Sequence, residues 1–247
     1  MNIIGSGLIA SSFSDQDFGR SVILFASGVS NSRETRSSQF DRESKLLQDW
    51  LSKSEKLIYF STCSVEDDNL KSSPYVLHKI QMEKLVLLRP TGIVIRLPQV
   101  VGRCDNKYTL TNFLASKIFN NECYDLYYGV LRNLIDITDV VALTRFLLES
   151  SDEGNLVSFA MPQYYEVSEI VFILENLLNR VSRHNSKIGL PFKYHKSSFV
   201  QSALDNSIIS CNDDYLESTL KKYYGEGSDG IVSLGQTENE IERMDKL

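Results

Sequence analysis

A chain of 247 residues, 42% hydrophobic and 23% charged, is long enough for one well-cored domain with a small appended lobe. Its formal net charge of −6 argues against a general binder of nucleic-acid polymers, and no apolar run reaches membrane-spanning length. Four cysteines, Cys63, Cys104, Cys123 and Cys211, stand without C-x-x-C spacing or a paired His, which fits reduced thiols in a cytoplasm and neither a disulfide framework nor a metal site.

The chain enters a predicted strand almost at once, at Asn2-Ile-Ile, so no signal-peptide pattern is read. Gly5-Ser-Gly7-Leu-Ile-Ala10 follows. Glycines at a strand–helix turn let backbone approach a pyrophosphate, while the N–H groups opening the helix face its charge. The motif is weak alone, and a plain tight turn is the alternative. The next strand is predicted at Ser21–Ala26, ending in Ser27-Gly28. Only the rest of one helix and a turn separate Ala10 from Val22, enough for a single right-handed crossover. No Asp or Glu stands about 20 positions past the turn, where one would hold an adenosine ribose. An amphipathic helix is predicted over Phe40–Leu51, with Leu46, Leu47, Trp50 and Leu51 on one face; Trp50 is read as core packing rather than a ligand platform.

The stretch Leu57–Lys84 carries the most chemistry. Leu57–Phe60 predicts a buried strand that breaks into Ser61-Thr62-Cys63-Ser64, and Pro74 opens a helix bearing Ile80, Met82 and Leu85. Tyr75 and Lys79 are four apart, so they lie one helical turn apart on the same face. A Lys cation there would stabilise the phenolate and draw the Tyr pKa down towards the operating pH, as a general acid/base requires. Thr62, leaving the strand end, could offer its hydroxyl to the same substrate oxygen. The bland alternative is a chance spacing on a helix.

A further buried strand is predicted at Gly92–Pro98. From Asn106 the chain turns to longer polar loops with aromatic residues, a helix at Asn112–Phe119, then Tyr124–Gly129 and Arg132-Asn-Leu-Ile-Asp136-Ile-Thr-Asp139. Asp139 is read as the N-terminal stabiliser of the next helix. Leu156–Phe159 predicts a strand and Ser168–Leu178 a strongly amphipathic helix. Lys187–Ser198 is basic and aromatic, and either lines a pocket mouth or forms a solvated loop. Thr237–Leu247 is read as a surface helix or frayed tail.

Taken together, Gly5-Ser-Gly7-Leu-Ile-Ala10, Phe60-Ser-Thr62-Cys-Ser-Val65, Tyr75-x3-Lys79, Arg96-Leu-Pro98-Gln-Val-Val-Gly102 and Arg132-Asn-Leu-Ile-Asp-Ile-Thr-Asp139-Val span Met1 to Leu178 in a recognisable order. The chain resembles the extended short-chain dehydrogenase/reductases, the NAD-dependent epimerase/dehydratase family that works on nucleotide sugars. The resemblance implies one α/β domain over 1–247: a reduced Rossmann-like parallel sheet missing two usual strands, with a small C-terminal substrate-binding lobe from about 105–128 and 156–225.

It further implies NAD or NADP as cofactor, held by Gly5, Ser6, Gly7, Leu8, Ile9, Ala26, Ser27, Tyr75, Lys79 and Pro98, with Thr62, Tyr75 and Lys79 as the catalytic set. Gln99, Asn112 and Arg132 would contact a nucleotide-sugar substrate, Arg132 as a fork on its diphosphate. For Gln99, satisfying loop backbone is an equal alternative, and for Arg132 a surface salt bridge is the bland one. Dehydratases of the family place an Asp-Glu pair directly after the strand Thr. Cys63-Ser64 stands there instead, against 4,6-dehydration. The expectation is an NAD(P)H-dependent reductase of a keto-sugar nucleotide in surface-polysaccharide or deoxysugar biosynthesis, because a shortened adenosine side suits a cofactor that comes and goes. A nucleotide-sugar epimerase and a non-catalytic nucleotide-sugar-binding member are the alternatives. The expected chain is cytoplasmic, with no membrane partner, and a homodimer is left open.

Overall fold

The computed structural model describes residues 1–19, 21–53, 55–150 and 154–225, so the expected tail at Thr237–Leu247 lies outside the described residues. Strand β1 (Asn2–Ile4) leads into helix α1 (Leu8–Ser12), then β2 (Val22–Phe25), α2 (Ser37–Leu51), β3 (Lys56–Thr62), α3 (Pro74–Leu87) and β4 (Gly92–Leu97). After β5 (Gln99–Val101) come α4 (Leu110–Phe119), β6 (Cys123–Tyr128), β7 (Leu131–Arg132), β8 (Leu134–Asp136) and α5 (Ile137–Glu149). The chain continues through β9 (Leu156–Ser158), β10 (Tyr165–Glu166), α6 (Val167–Leu178), β11 (Arg183–Ile188), α7 (Ser198–Asp205) and α8 (Tyr215–Tyr224).

Two compact units share these elements. The first comprises Met1–Val100, Ile135–Gln163 and Tyr194–Cys211. Its centre is a five-stranded parallel sheet in the order β1-β2-β3-β4-β9. The apolar runs Val22–Phe25 and Leu57–Phe60 are buried throughout, as strands covered on both faces must be. Register follows from those runs, with Ile23 opposite Asn2, Leu24 opposite Ile58, and Ile58 opposite Ile93. Among the described residues no strand falls between Ile4 and Val22, and β1 pairs directly with β2. The core on one face joins Ile23, Phe25, Leu57, Tyr59 and Val94 of the sheet to Leu47 of α2 and Met82 and Val86 of α3. Leu156–Ser158, grouped with the lobe by sequence, is instead the strand beside β4, with Val157 opposite Ile95. Helix α7 likewise packs within this unit, against β9 and α5.

The second unit comprises Val101–Leu134, Tyr164–Lys193 and the chain from Asn212. Helix α6 packs against α4 and α8, as the apolar stripe Ile170, Val171 and Leu174 requires. Strands β6 and β11 pair in parallel, and β7 pairs antiparallel with β10. Arg183–Ile188 was expected in part as loop. Its side chains are almost all exposed, so no apolar alternation marked it as a strand. Helix α5 of the first unit carries Asp139 in its first turn, as expected of an N-terminal stabiliser, and opens two residues before it. Asp136 is its cap, its carboxylate accepting from the Thr138 N–H at 2.9 Å. No helix among the described residues is long and apolar enough to cross a membrane.

Candidate active site

Where parallel strands end, their loops leave a crevice at the carboxyl edge of the sheet. Two loops of the first unit meet there. Gly5 has φ +132°, and a Cβ on it would stand 2.5 Å from the Ala26 carbonyl oxygen, so only glycine lets the turn after β1 lie against the end of β2. The Ala26 N–H closes the contact on the Ile4 carbonyl at 2.8 Å. Gly5, Ser6 and Gly7 are exposed, Leu8 and Ile9 half-buried, and a Cβ on Gly7 would meet nothing within 4 Å. The side chain of Arg42 on α2 reaches Ser27, donating to its hydroxyl and its carbonyl, both at 3.2 Å. A bare backbone turn beside an arginine could take the phosphate end of a dinucleotide, and Gly5, Ser6, Gly7, Ala26 and Ser27 are the residues that would hold it.

Further along the same edge, Thr62 ends β3, and Tyr75 and Lys79 rise from the first turns of α3, which Pro74 opens. The structure brings the three together: Lys79 Nζ lies 5.9 Å from the centre of the Tyr75 ring. It does not leave Lys79 free. Its ammonium is 3% exposed and donates to Glu43 Oε1 at 3.1 Å and to the Tyr59 hydroxyl at 2.9 Å. Tyr59 in turn donates to the same Glu43 oxygen at 2.5 Å, and the Val29 N–H donates to the other at 2.6 Å. His78 Nε2 stands 3.1 Å from Glu43 Oε2 without the alignment of a hydrogen bond. Space for Lys79 comes from Gly28, where a Cβ would sit 2.5 Å from Nζ.

Burial, above all, reverses the expected electrostatics. Burial would push the Glu43 carboxyl up, but the Lys79 charge and the hydrogen bonds from Tyr59 and the Val29 N–H hold it well below the usual carboxylate range. For Tyr75 the balance falls the other way. Burial raises its pKa, and the Glu43 charge adds to that, against the opposing pull of Lys79 and the Thr62 hydroxyl. The net shift is upward from 10.0, where the Tyr75–Lys79 spacing alone predicted a fall. Tyr59, wholly buried and facing Glu43, is also held well above its ordinary value.

A second buried carboxylate braces the other side of β3. Glu83 Oε1 accepts from the Ser61 hydroxyl at 2.6 Å and from Arg96 Nε at 3.1 Å, while Oε2 takes the second arm of the Arg96 fork at 2.7 Å. Cys63 is buried, and its thiol is pushed up to about 12, chiefly by that burial. It is inert packing where a dehydratase would need a proton carrier. Pro98 is buried after β4, and Gln99 opens β5 half-buried.

In the second unit, Arg132 lies on β7 opposite Tyr165, half-buried, with Nη1 donating to the Leu131 carbonyl at 3.0 Å. Asn112 is a brace. It is 8% exposed, its amide nitrogen donates to the carbonyls of Cys104 and Asn106, and its oxygen accepts from Tyr224 at 2.5 Å. The ligand contact expected of it is displaced by these internal bonds.

Glu43, Tyr59, Glu83 and Gly28 were not read from sequence as site residues. The signal existed for both acids. Glu43 precedes Leu46, Leu47 and Trp50 on the apolar stripe of α2, and Glu83 lies between Val76 and Val86 on that of α3, where a carboxylate must be buried and therefore paired.

No protein-family model and no curated protein matches this chain. Solved structures do. UDP-glucuronic acid 4-epimerase from Bacillus cereus, in complex with UDP-glucuronic acid and NAD, aligns with a TM-score of 0.67 at 17% identity, over 87% of this chain and 76% of its own. RMD from Pseudomonas aeruginosa, complexed with NADPH, aligns at 0.63 and 14% identity, over 81% and 78%. The ADP-L-glycero-D-manno-heptose-6-epimerase of Helicobacter pylori aligns at 0.60 and 21% identity, over 82% and 71%. The chain has their fold. At these identities the likeness is one of architecture, and the chemistry rests on the residues described above.

Proposed function

We propose that this chain is an NAD(P)H-dependent reductase of a keto-sugar nucleotide. The observation that carries the reading is Tyr75: a tyrosine held as the hydroxyl at the carboxyl edge of a parallel sheet, beside Thr62 and one turn from Lys79. A bound nicotinamide supplies the hydride. Tyr75 supplies the proton that turns the substrate carbonyl into an alcohol, and solvent returns that proton to the phenolate. A raised pKa suits a residue whose task is to donate. An oxidation, or the first half of an epimerisation, would begin with the phenolate as base. The solved relatives in fold, with UDP-glucuronic acid, NAD and NADPH bound, support a nucleotide-sugar substrate and a nicotinamide cofactor.

A second reading is a nucleotide-sugar-binding protein without turnover. It is favoured by the burial of Lys79 against Glu43, which withdraws the residue from a cofactor ribose. Calorimetry with NADH and NADPH, followed by absorbance at the reduced nicotinamide band with UDP-, GDP- and dTDP-linked keto-sugars, separates the readings. Net consumption of reduced cofactor supports the reductase. Interconversion of epimers without net consumption replaces it with an epimerase, and nucleotide binding without either leaves the binding protein.

Arg132 tests the substrate class. Losing charge-assisted hydrogen bonds to a diphosphate, each about 1.5–3 kcal/mol, Arg132→Ala is expected to bind nucleoside diphosphates at least about tenfold more weakly. Binding of the dinucleotide alone is expected to change little. Unchanged diphosphate affinity removes Arg132 from the substrate site.

A further inference from the structure

We infer that Glu43 is a positioning residue: it holds the Lys79 ammonium beneath Gly28, against Tyr59, and thereby limits how much of the lysine charge reaches Tyr75. The inference rests on the reading of Tyr75 as the proton donor, but its test does not depend on turnover.

The geometry gives Glu43 a task beyond packing. Its side chain is fully buried on α2, yet it accepts from three elements at once: the Val29 N–H after β2, the Tyr59 hydroxyl of β3 and Lys79 of α3. Lys79 Nζ lies 4.9 Å from the centre of the Tyr59 ring and 5.9 Å from that of Tyr75, so the carboxylate draws it to the far side of the pair. Gly28 completes the pocket, since any larger residue would displace Nζ. The groups facing this cluster are Tyr59 from β3, Thr62 at the end of β3, and His78 and Tyr75 from α3, with Glu83 further along α3. Of these, only Lys79 and Thr62 favour the Tyr75 phenolate, and Glu43 compensates the Lys79 charge. An uncompensated lysine at the same distance would favour the phenolate more strongly, against the burial that raises the Tyr75 pKa.

The test is the ionisation of Tyr75 itself, followed by carbon-13 NMR of full-length protein labelled at tyrosine Cζ, with the resonance assigned by its loss in Tyr75→Phe. In the wild type, the midpoint of Tyr75 is expected to lie above its ordinary 10.0. In Glu43→Gln its midpoint is expected to fall by at least about one pH unit, a tenfold gain in phenolate at fixed pH. Lys79→Gln in the same background is expected to remove most of that gain, leaving only the smaller part that comes from the Glu43 charge itself. A Tyr75 titration unmoved by Glu43→Gln overturns the inference, and so does a fall undiminished in the double variant, which would mean that none of it passes through Lys79. If Glu43→Gln does not fold, Gly28→Ala carries the test. It keeps every charge and displaces Nζ, which the added Cβ would otherwise meet at 2.5 Å, and an unmoved Tyr75 there overturns the inference equally. Failure of the reductase reading shows differently, as no net consumption of reduced cofactor with the Tyr75 shifts intact.

Discussion

Glu43 and Glu83 are both buried carboxylates on the apolar stripes of helices beside β3, and the fold uses them differently. Glu83 meets a guanidinium fork and a serine hydroxyl, and its arginine keeps 21% of its side chain in water. Planar groups matched two bonds to two make a rigid brace. Glu43 meets a lysine 3% exposed, a tyrosine hydroxyl and a backbone N–H, all of them enclosed. A lysine is a point charge on a flexible stem, and here it stands one helical turn from Tyr75. The same acid on the same kind of surface therefore serves as a strut in one place and as control of a neighbouring charge in the other.

The largest expected effect divides the two sides by chemistry. Tyr75→Phe, on the Glu43 side, is expected to cut turnover by about 10²–10⁴-fold with substrate binding and stability nearly unchanged, since it deletes only the proton donor. Ser61→Ala, on the Glu83 side, is expected to leave turnover intact and cost roughly 1.5–3 kcal/mol of stability, the range for a hydrogen bond to a charged group. Steady-state kinetics beside urea unfolding checks both. Wild-type turnover in Tyr75→Phe would remove that residue from the chemistry.

Next in size is the cost of removing either cation. Lys79→Met leaves Glu43 charged, enclosed and facing two tyrosines, and is expected to destabilise by about 3–5 kcal/mol. Arg96→Met leaves Glu83 with Ser61 and with the water that Arg96 already admits, so the loss is expected to stay near 1.5–3 kcal/mol. Equal losses in equilibrium unfolding would erase the distinction between an enclosed pair and an open one.

Much of this was legible in the sequence, for reasons that also say why the rest was not. The strands at β2, β3 and β4 could be read because strands buried on both faces must be continuous apolar runs, and Val22–Phe25 and Leu57–Phe60 are. Tyr75 and Lys79 could be read because helical spacing fixes who shares a face. The partner of Lys79 could not be read that way. Glu43 lies 36 residues earlier, and only the packing of α2 and α3 on one sheet face brings them together. Helical spacing also says nothing of burial, the largest cause of the upward Tyr75 shift, so its sign came out reversed. Strand β11 was missed because an exposed strand carries no alternation, and the Asp136 cap of α5 was missed because only its geometry with Thr138 shows it, while Asp139 does stand in the first turn as read.

Acidification sharpens the comparison further. Glu43 has a depressed pKa, so its contribution to stability is complete above the ordinary carboxyl value of 4.5 and is lost as pH falls below it through the folded value. Glu43→Gln removes that contribution. Its urea midpoint is expected to vary less with pH below 4.5 than that of the wild type. Both proteins keep a residual slope from Glu34, held at about 2 by its hydrogen bonds to Arg36. Parallel acid limbs in wild type and variant would mean that Glu43 gains nothing from its partners on folding.

The smallest effect belongs to a third carboxylate in the same unit, Glu66, which marks the open end of the series. Its Oε1 lies 3.6 Å from Arg96, and its Oε2 accepts from the His195 backbone N–H at 2.9 Å and lies 3.1 Å from the His195 ring, which is 90% exposed. Two arguments make that ring contact weak. Water reaches the imidazole from almost every side, so the charge is screened and the ordering of an exposed side chain offsets what attraction remains. The backbone N–H also stays on Glu66 whatever side chain stands at 195, so a truncation leaves the acid with both other partners. His195→Ala is expected to cost under about 1 kcal/mol, and less still when unfolding is measured in 1 M salt. A loss as large as that of Arg96→Met, insensitive to salt, would show Glu66 to be enclosed like Glu43, and exposure would then cease to order these three carboxylates.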